Sequence, residues 1–304
     1  MRSAETLRRL LAFFLCLALL ITLPCAVAEN RVINELEIGR DEERYTFPSD
    51  AELLEVYLPS ILGADCCIMR MGDETLMIDA AYDTHTREGV IPALKALGIS
   101  HIDTAYVSHP HDDHMKGFLT LLENGITFGR MALFFEEDAN WISRQVVQAM
   151  KEAGVEIVHL KDGDETDFGK AHIRFLRRQR TDFTVNDLSG MMYITYGDCS
   201  YFTVGDIENR GQDVLMQKLP SFSLKCDIFK HPHHGYAPIR KDLLETVDPE
   251  LVIVTGQYAS TNAAIRLLNS RGYTWTRQFP EAIEMLCDGQ HWLVRHPSWG
   301  SRKR

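Results

Sequence analysis

Residues 108–117 read SHPHDDHMKG, and five of the six side chains from His109 to His114 can bind a metal. Imidazole and carboxylate are ligands that zinc accepts readily, and a catalytic zinc keeps one position open for water. His109 and His111, two apart in a loop leaving a strand, can present both rings on one side while the turn directs Asp113 and His114 elsewhere. One loop can thus serve two adjacent metal positions. A lone surface histidine is ordinarily solvated, but this density of ligand types directly after the apolar run IDTAYV argues for a metal centre.

Such a loop needs a frame. LLEVYL, DCCIMRM and ETLMIDA, separated by Gly63-Ala64 and Gly72-Asp73, predict a meander of antiparallel strands. REGVIPALKALG follows at helical spacing with a stop at Gly98. Strand and helix signals then alternate through IDTAYV, HMKGFLTLLEN, RMALFF, ANWISRQVVQAMKEAG and VEIVHL. After Gly169 come the strands AHIRFL, MMYITYG and CSYFTVGD, a helix around ENRGQDVLMQKL, and a renewed alternation from CDIFK to QHWLVR. Strand-rich halves interleaved with helices predict two sheets face to face with helices outside, in a single α/β domain over residues 51–304.

The first residues differ from the rest. Arg2, Arg8 and Arg9 precede LLAFFLCLALLITL, then Ala26-Val27-Ala28 and polar Glu29-Asn30, the order of a signal peptide spanning 1–28. The apolar run is shorter than the ~20 residues that span a bilayer. The expected location is secreted or extracytoplasmic, with membrane contact only if the segment stays uncleaved. Residues 29–50, charged and without periodicity, read as a mobile leader.

The 304-residue chain carries a net charge of −11, and losing residues 1–28 would make it more acidic. An acidic surface does not draw polyanions as a whole, so nucleic acid is the less favoured partner. An anionic phosphoester or other small-molecule substrate needs local positive charge, which bound metal supplies. Beyond the signal, Cys66, Cys67, Cys199, Cys226 and Cys287 are too scattered for a zinc finger or a disulfide framework.

H-x-H-x-D-H, here His109, His111, Asp113 and His114, resembles the hallmark of the metallo-β-lactamase superfamily. Asp79 in ETLMIDA, Asp206 in FTVGDIE and KHPHHGY at 230–236 match later motifs of that superfamily in order. SGMMYITYGDCSYFTVGDIE, CDIFKHPHHGYAP and DPELVIVTG further resemble the hydrolase domain of bacterial DNA-uptake channel proteins, over roughly residues 52–296. The resemblance implies an αβ/βα metallo-β-lactamase-type sandwich with a two-metal site, filled by zinc or alternatively manganese. It implies His109 and His111 at one metal, Asp113, His114 and one of His233 and His234 at the other, and Asp206 bridging. Asp79 would steady the loop, and a metal-bound hydroxide would be the nucleophile, with Asp113, Asp206 and His234 as the expected catalytic residues.

The chain departs from the full pattern in one respect: no histidine occurs from 115 to 158 to complete the first site. That site is expected to be weaker, or completed by water, Glu136 or Glu137. His159, His172 and His231 are expected to be structural. Lys116 and the cluster Arg174, Arg177, Arg178 and Arg180 are either anion contacts or solvated charges. The function expected is an exported metal-dependent hydrolase of phosphodiester or phosphorylated cell-surface substrates. The alternatives are a β-lactam or thioester hydrolase and a non-catalytic metal-dependent binding module.

Overall fold

Alternation of apolar side chains makes the first meander. Strands β2 (Leu54–Leu58), β3 (Cys67–Met71) and β4 (Glu74–Ile78) pair antiparallel, Val56 opposite Met69 and Met69 opposite Leu76. In this computed structural model residues 30–36 and 44–298 are described, and the chain from Arg31 onward forms one compact unit. β4 continues in parallel through β5 (His101–Val107), β6 (Thr127–Leu133) and β7 (Glu156–His159). Helices α1 (Ile91–Leu97), α2 (Gly117–Glu123) and α3 (Trp141–Glu152) make the crossovers that parallel strands require.

The second sheet holds β8 (Glu165–Phe168), β9 (Ala171–Leu176), β10 (Met191–Tyr196), β11 (Cys199–Thr203), β12 (Ile228–Lys230), β13 (Leu251–Val254) and β14 (Trp275–Arg277), in that spatial order. Helices α4 (Asn209–Gln217), α5 (Lys241–Val247) and α6 (Asn262–Arg271) connect its parallel half. The chain then returns to the first sheet, where β15 (Ile283–Cys287) pairs with β2, and β16 (Trp292–Arg295) lies beside β15.

Buried side chains from both sheets, among them Val56, Met69, Tyr201, Ile228, Ile253 and Met285, belong to one apolar cluster. A second cluster joins Phe202, Phe229 and Val252 to Leu215, Leu243 and Leu268 of the three later helices. The layers are therefore helix, sheet, sheet, helix. Each fully buried Phe or Leu contributes about 1.5–3 kcal/mol through removal from water.

Two strands escape the sequence reading. β8, ETDF, is a polar edge strand whose pairing with β9 carries no apolar signal. Within the stretch expected to lead mobile into the fold, β1 (Val32–Asn34) pairs in parallel with β16. Glu250 accepts hydrogen bonds from the Arg31 and Val32 N–H groups at 3.0 and 2.8 Å. The signal segment expected over 1–28 lies outside the described residues. Among the described residues no helix is long and apolar enough to cross a membrane.

Two local devices hold the histidine loop in place. The Asn140 side chain accepts from the Ser143 N–H at 2.9 Å and caps α3, while its amide donates to the Pro110 carbonyl between His109 and His111. Gly117 follows the loop's short helical turn, Asp112–Met115, and its N–H reaches the Ala81 carbonyl at 2.8 Å. A Cβ there would overlap the Ala80 carbonyl and the Thr86 hydroxyl, so only glycine allows this approach.

Candidate metal centre

Most side chains of the site hang from the carboxyl end of a strand in the middle of one of the sheets. Asp79 follows β4, the loop from His109 to His114 follows β5, Asp206 follows β11, and His231 to His234 follow β12. In open α/β sheets this is where clefts form, because strands end there together while loops diverge. Asp79, His233 and His234 hold positive φ values of 58°, 47° and 56°, a costly backbone state for residues other than glycine. Such strain persists where surrounding contacts impose it, commonly at functional sites.

Asp79 organises the loop from behind. Its carboxylate accepts the Ser108 N–H at 2.8 Å and the Ser108 hydroxyl at 2.7 Å, and it faces His114 Nδ1 at 2.8 Å. With Nδ1 engaged, the His114 ring turns Nε2 inward, 3.3 Å from Asp206 Oδ2 and 3.8 Å from Asp113 Oδ2. His234 is the mirror of this arrangement. Its Nδ1 lies 2.9 Å from Thr255 Oγ1 and 3.1 Å from Asp65 Oδ1, and its Nε2 lies 3.1 Å from Asp206 Oδ2 and 3.3 Å from Asp113 Oδ2.

Both Nε2 atoms are buried and lack any hydrogen-bond partner. A buried nitrogen without a partner is costly, and two aimed at the same carboxylates describe a place for a cation. The spacing agrees. Ligand bonds of ~2.0–2.2 Å about a tetrahedral centre put the ligand atoms about 3.3–3.6 Å apart. Engaging the far nitrogen of each ring with a carboxylate is how proteins fix the tautomer of a metal-binding histidine.

Electrostatics express the same demand. Burial alone would depress His114 and His234, but Asp206 with Asp113 and Asp79 lifts the first well above the usual imidazole range, and Asp206 with Asp65 lifts the second. Burial would raise Asp206, yet His234, His114 and Lys230 hold it well below the ordinary carboxylate range. Asp113, against the same tendency of burial, is lowered to about 2 by His114 and His234. The cluster therefore attracts positive charge, in the metal-free state as protons on the imidazoles.

His109 and His111 form a neighbouring pair, with His109 Nε2 3.0 Å from His111 Nδ1 and His109 Nδ1 3.1 Å from the Ser108 hydroxyl. Burial and the adjacent His114 push His109 well below the usual imidazole range. Of the two histidines left open by the sequence, His234 is the one that converges with Asp113 and Asp206. His233 stands at the rim, its side chain 24% exposed, with Nε2 3.9 Å from Asp206 Oδ2 and Nδ1 3.1 Å from Glu208 Oε1.

Other expected residues lie elsewhere. Glu137 is engaged by Lys151 and lies 3.7 Å from His159, and Glu136 is exposed. His172 sits between Asp167 at 2.8 Å and Glu165 at 3.1 Å on the second sheet. His231 is fully buried, with Nδ1 2.9 Å from the Pro232 carbonyl, and burial lowers it to about 4. Lys116 is half-buried on the turn after the loop.

Asp65 and Lys230 are the residues that sequence reasoning missed. Lys230 is 3% exposed, ion-paired to Asp65, and lies 3.4 Å from Asp206 Oδ1 and 3.2 Å from the Gly205 carbonyl. Burial opposes its charge, but Asp65 and Asp206 raise it further. Asp65, His114, Asp206 and His234 offer ligand atoms within 4.8 Å of one another. Asp65 is nevertheless committed to Lys230, Thr255 and the far side of the His234 ring, whereas Asp113 faces the free Nε2. We therefore place Asp65 behind the histidine and Asp113 in front of it. An acid between a Gly-Ala turn and the start of a largely apolar strand was the available signal.

No protein-family model matches the chain. It is 26% identical over 171 residues to ComE operon protein 3 of Bacillus subtilis, covering 55% of this chain and 21% of that protein. It is 24% identical over 197 residues to competence protein ComA of Neisseria gonorrhoeae, covering 64% and 26%. The chain thus spans about a fifth to a quarter of the length of these curated relatives. Among solved structures, the metallo-β-lactamase fold protein YhfI from Bacillus subtilis superposes with a TM-score of 0.51 at 14% identity, covering 74% of this chain and 96% of that one. A CmlA β-hydroxylase mutant gives the same TM-score and identity, over 79% and 54%. The chain thus has the metallo-β-lactamase fold and is similar in sequence to part of the two competence proteins.

Proposed function

We propose that the protein is an exported metal-dependent hydrolase of phosphodiester or phosphorylated cell-surface substrates. The observation that carries this reading is the pair of partnerless nitrogens, His114 Nε2 and His234 Nε2, facing one oxygen of Asp206 while carboxylates hold their Nδ1 atoms. Asp113, His114, Asp206 and His234 would hold one divalent cation, and His109 and His111 with Asp206 a second. Two such cations acidify water and neutralise charge on both oxygens of an in-line displacement.

The chain's own groups supply the rest. Asp79 and Asp65 hold the two imidazoles in the tautomer that presents Nε2. Lys230 offsets part of the carboxylate charge, so that the cluster tolerates burial before a cation arrives. His233, at the rim and beside Glu208, can exchange a proton with a leaving group as it departs. Export is supported by the order of charge, apolar run and small residues in 1–28.

The preference for phosphoesters is supported by the resemblance of the HHG motif to the DNA-uptake group. A second reading, a metal-dependent binding module, draws support from the pair His109 and His111, which no histidine from residues 115 to 158 joins to complete a first site. Metal content and turnover of bis-p-nitrophenyl phosphate, measured on the full chain and on Asp206→Asn, separate them. The hydrolase reading expects metal-dependent turnover that the variant abolishes while its circular dichroism is unchanged. Metal uptake with no turnover of any ester overturns it in favour of the binding module.

A further inference from the structure

A second cleft, of about 700 Å³, opens between the loop after β7, the end of β9 and the segment following α4. In a chain of net charge −11 its lining is cationic: Lys161, Arg174, Arg177, Arg178 and Lys218 stand against Asp162 and Glu165. Two of these cations are accounted for by neighbours. Arg174 bonds Glu165 at 3.0 Å and lies 5.0 Å over the Phe222 ring. Arg178 pairs with Asp162 and donates to the Lys218 carbonyl at 2.7 Å, which orders that carbonyl's segment against the strand end.

Arg177 has no such partner. It is half-buried, its Nε is fully buried with no hydrogen bond, and among the described residues no carboxylate stands within ion-pair distance. Arg178 Nε is buried and unpartnered as well. Burial lowers Arg177, and Glu136 compensates only at longer range. A guanidinium cannot shed its proton at physiological pH, so it cannot escape this cost by neutralising. A half-buried charge with a buried, unspent Nε–H donor is one that an anion in the cleft can complete.

We propose that this cleft is an anion site, separate from the metal centre, that takes a phosphate group through Arg177 and Arg178. Planar guanidinium forks match the tetrahedral oxygens of phosphate in pairs. A dianion suits the surplus of positive charge better than a carboxylate, and Phe222 and Leu219 give the cleft an apolar wall for whatever carries the phosphate. The site is linked to the metal loop through the backbone. Leu176, just before Arg177, pairs with Met191, and the N–H of the preceding Gly190 donates to the Ser108 carbonyl at 2.9 Å. The proposal does not rest on the reaction assigned to the metal centre.

The test uses the full chain labelled with [15N]arginine and titrated with inorganic phosphate. The Arg177 and Arg178 Nε–H signals should shift, and the melting temperature should rise with phosphate. Arg177→Gln should melt no lower than the unaltered protein without phosphate, since no pair is broken, yet bind phosphate at least about tenfold more weakly. Asp206→Asn should keep the arginine shifts. If those shifts vanish in Asp206→Asn, or survive unchanged in Arg177→Gln, phosphate is acting at the metal centre or nonspecifically and the proposal fails. Where turnover is measurable, competitive inhibition that depends on Arg177 identifies the phosphate as part of the substrate, and noncompetitive inhibition identifies a separate ligand.

Discussion

The carboxylate of Asp65 stands 3.1 Å from His234 Nδ1, and the same carboxylate is gripped by buried Lys230. An acid from the first sheet thereby orients a histidine of the second and neutralises the lysine beneath it. The two halves of the sandwich meet at this contact, and the metal centre depends on it.

Asp65→Asn should therefore weaken metal binding by about 10–100-fold, the usual effect of losing a carboxylate behind a metal-bound histidine. It should also destabilise the chain, because removing one partner of a buried ion pair costs about 3–5 kcal/mol. Adding Lys230→Met should recover the stability and leave the affinity low. Chelator competition and urea unfolding read the two effects separately, and a double variant that regains full affinity would refute the orienting role of Asp65.

His114→Ala should lose metal more completely than His109→Ala. His114 joins a cluster that includes Asp113, Asp206 and His234, whereas His109 is outside the group of converging ligand atoms found among the described residues. Fewer protein ligands mean weaker retention. Metal content after mild chelation checks the order, and equal losses would mean that the two positions are not unequal in this way.

Gly117→Ala should cost about 1–3 kcal/mol or more, since the new methyl must displace the Ala80 carbonyl or the Thr86 hydroxyl. The loss should appear in denaturant midpoint and, because the turn 112–115 would shift with it, in metal affinity. An alanine variant with native stability would show that the loop can relax.

Burial of neutral His231 makes a pH-dependent contribution to stability. Its folded value of about 4 lies below the ordinary imidazole value near 6.5. The unfolded chain thus takes up this proton first as pH falls. The contribution is fully present above about 6.5 and is lost as pH drops toward 4, amounting to about 3 kcal/mol at most. Comparing unfolding curves of the metal-free protein with those of His231→Phe isolates it, because the other titrating groups are common to both. Identical pH profiles would contradict it.

Much of this arrangement was legible from residue types alone. The meander, the crossovers and the residues from His109 to His114 announced themselves through alternation, helical spacing and ligand density. What stayed hidden depends on pairing across distance. Asp65 and Lys230 look like an ordinary turn acid and strand base until the sheets meet, and nothing local says which of His233 and His234 turns inward. That choice is made by backbone φ values of 47° and 56° and by Thr255, which hydrogen-bonds His234 from 21 positions further along. β8 and β1 were missed because short edge strands, one polar and one of three residues, owe their existence to the neighbour they pair with.

β2 has β3 on one side and β15 on the other, although β15 begins at Ile283. During synthesis, the hydrogen-bonding edge of Leu54–Leu58 stays open until more than two hundred further residues have been made. An unpaired strand edge invites association with other chains, and distant pairing slows folding. Order of assembly is thus written into the topology: the first sheet cannot close before the second is complete, and a chain stopped short of Cys287 should be aggregation-prone.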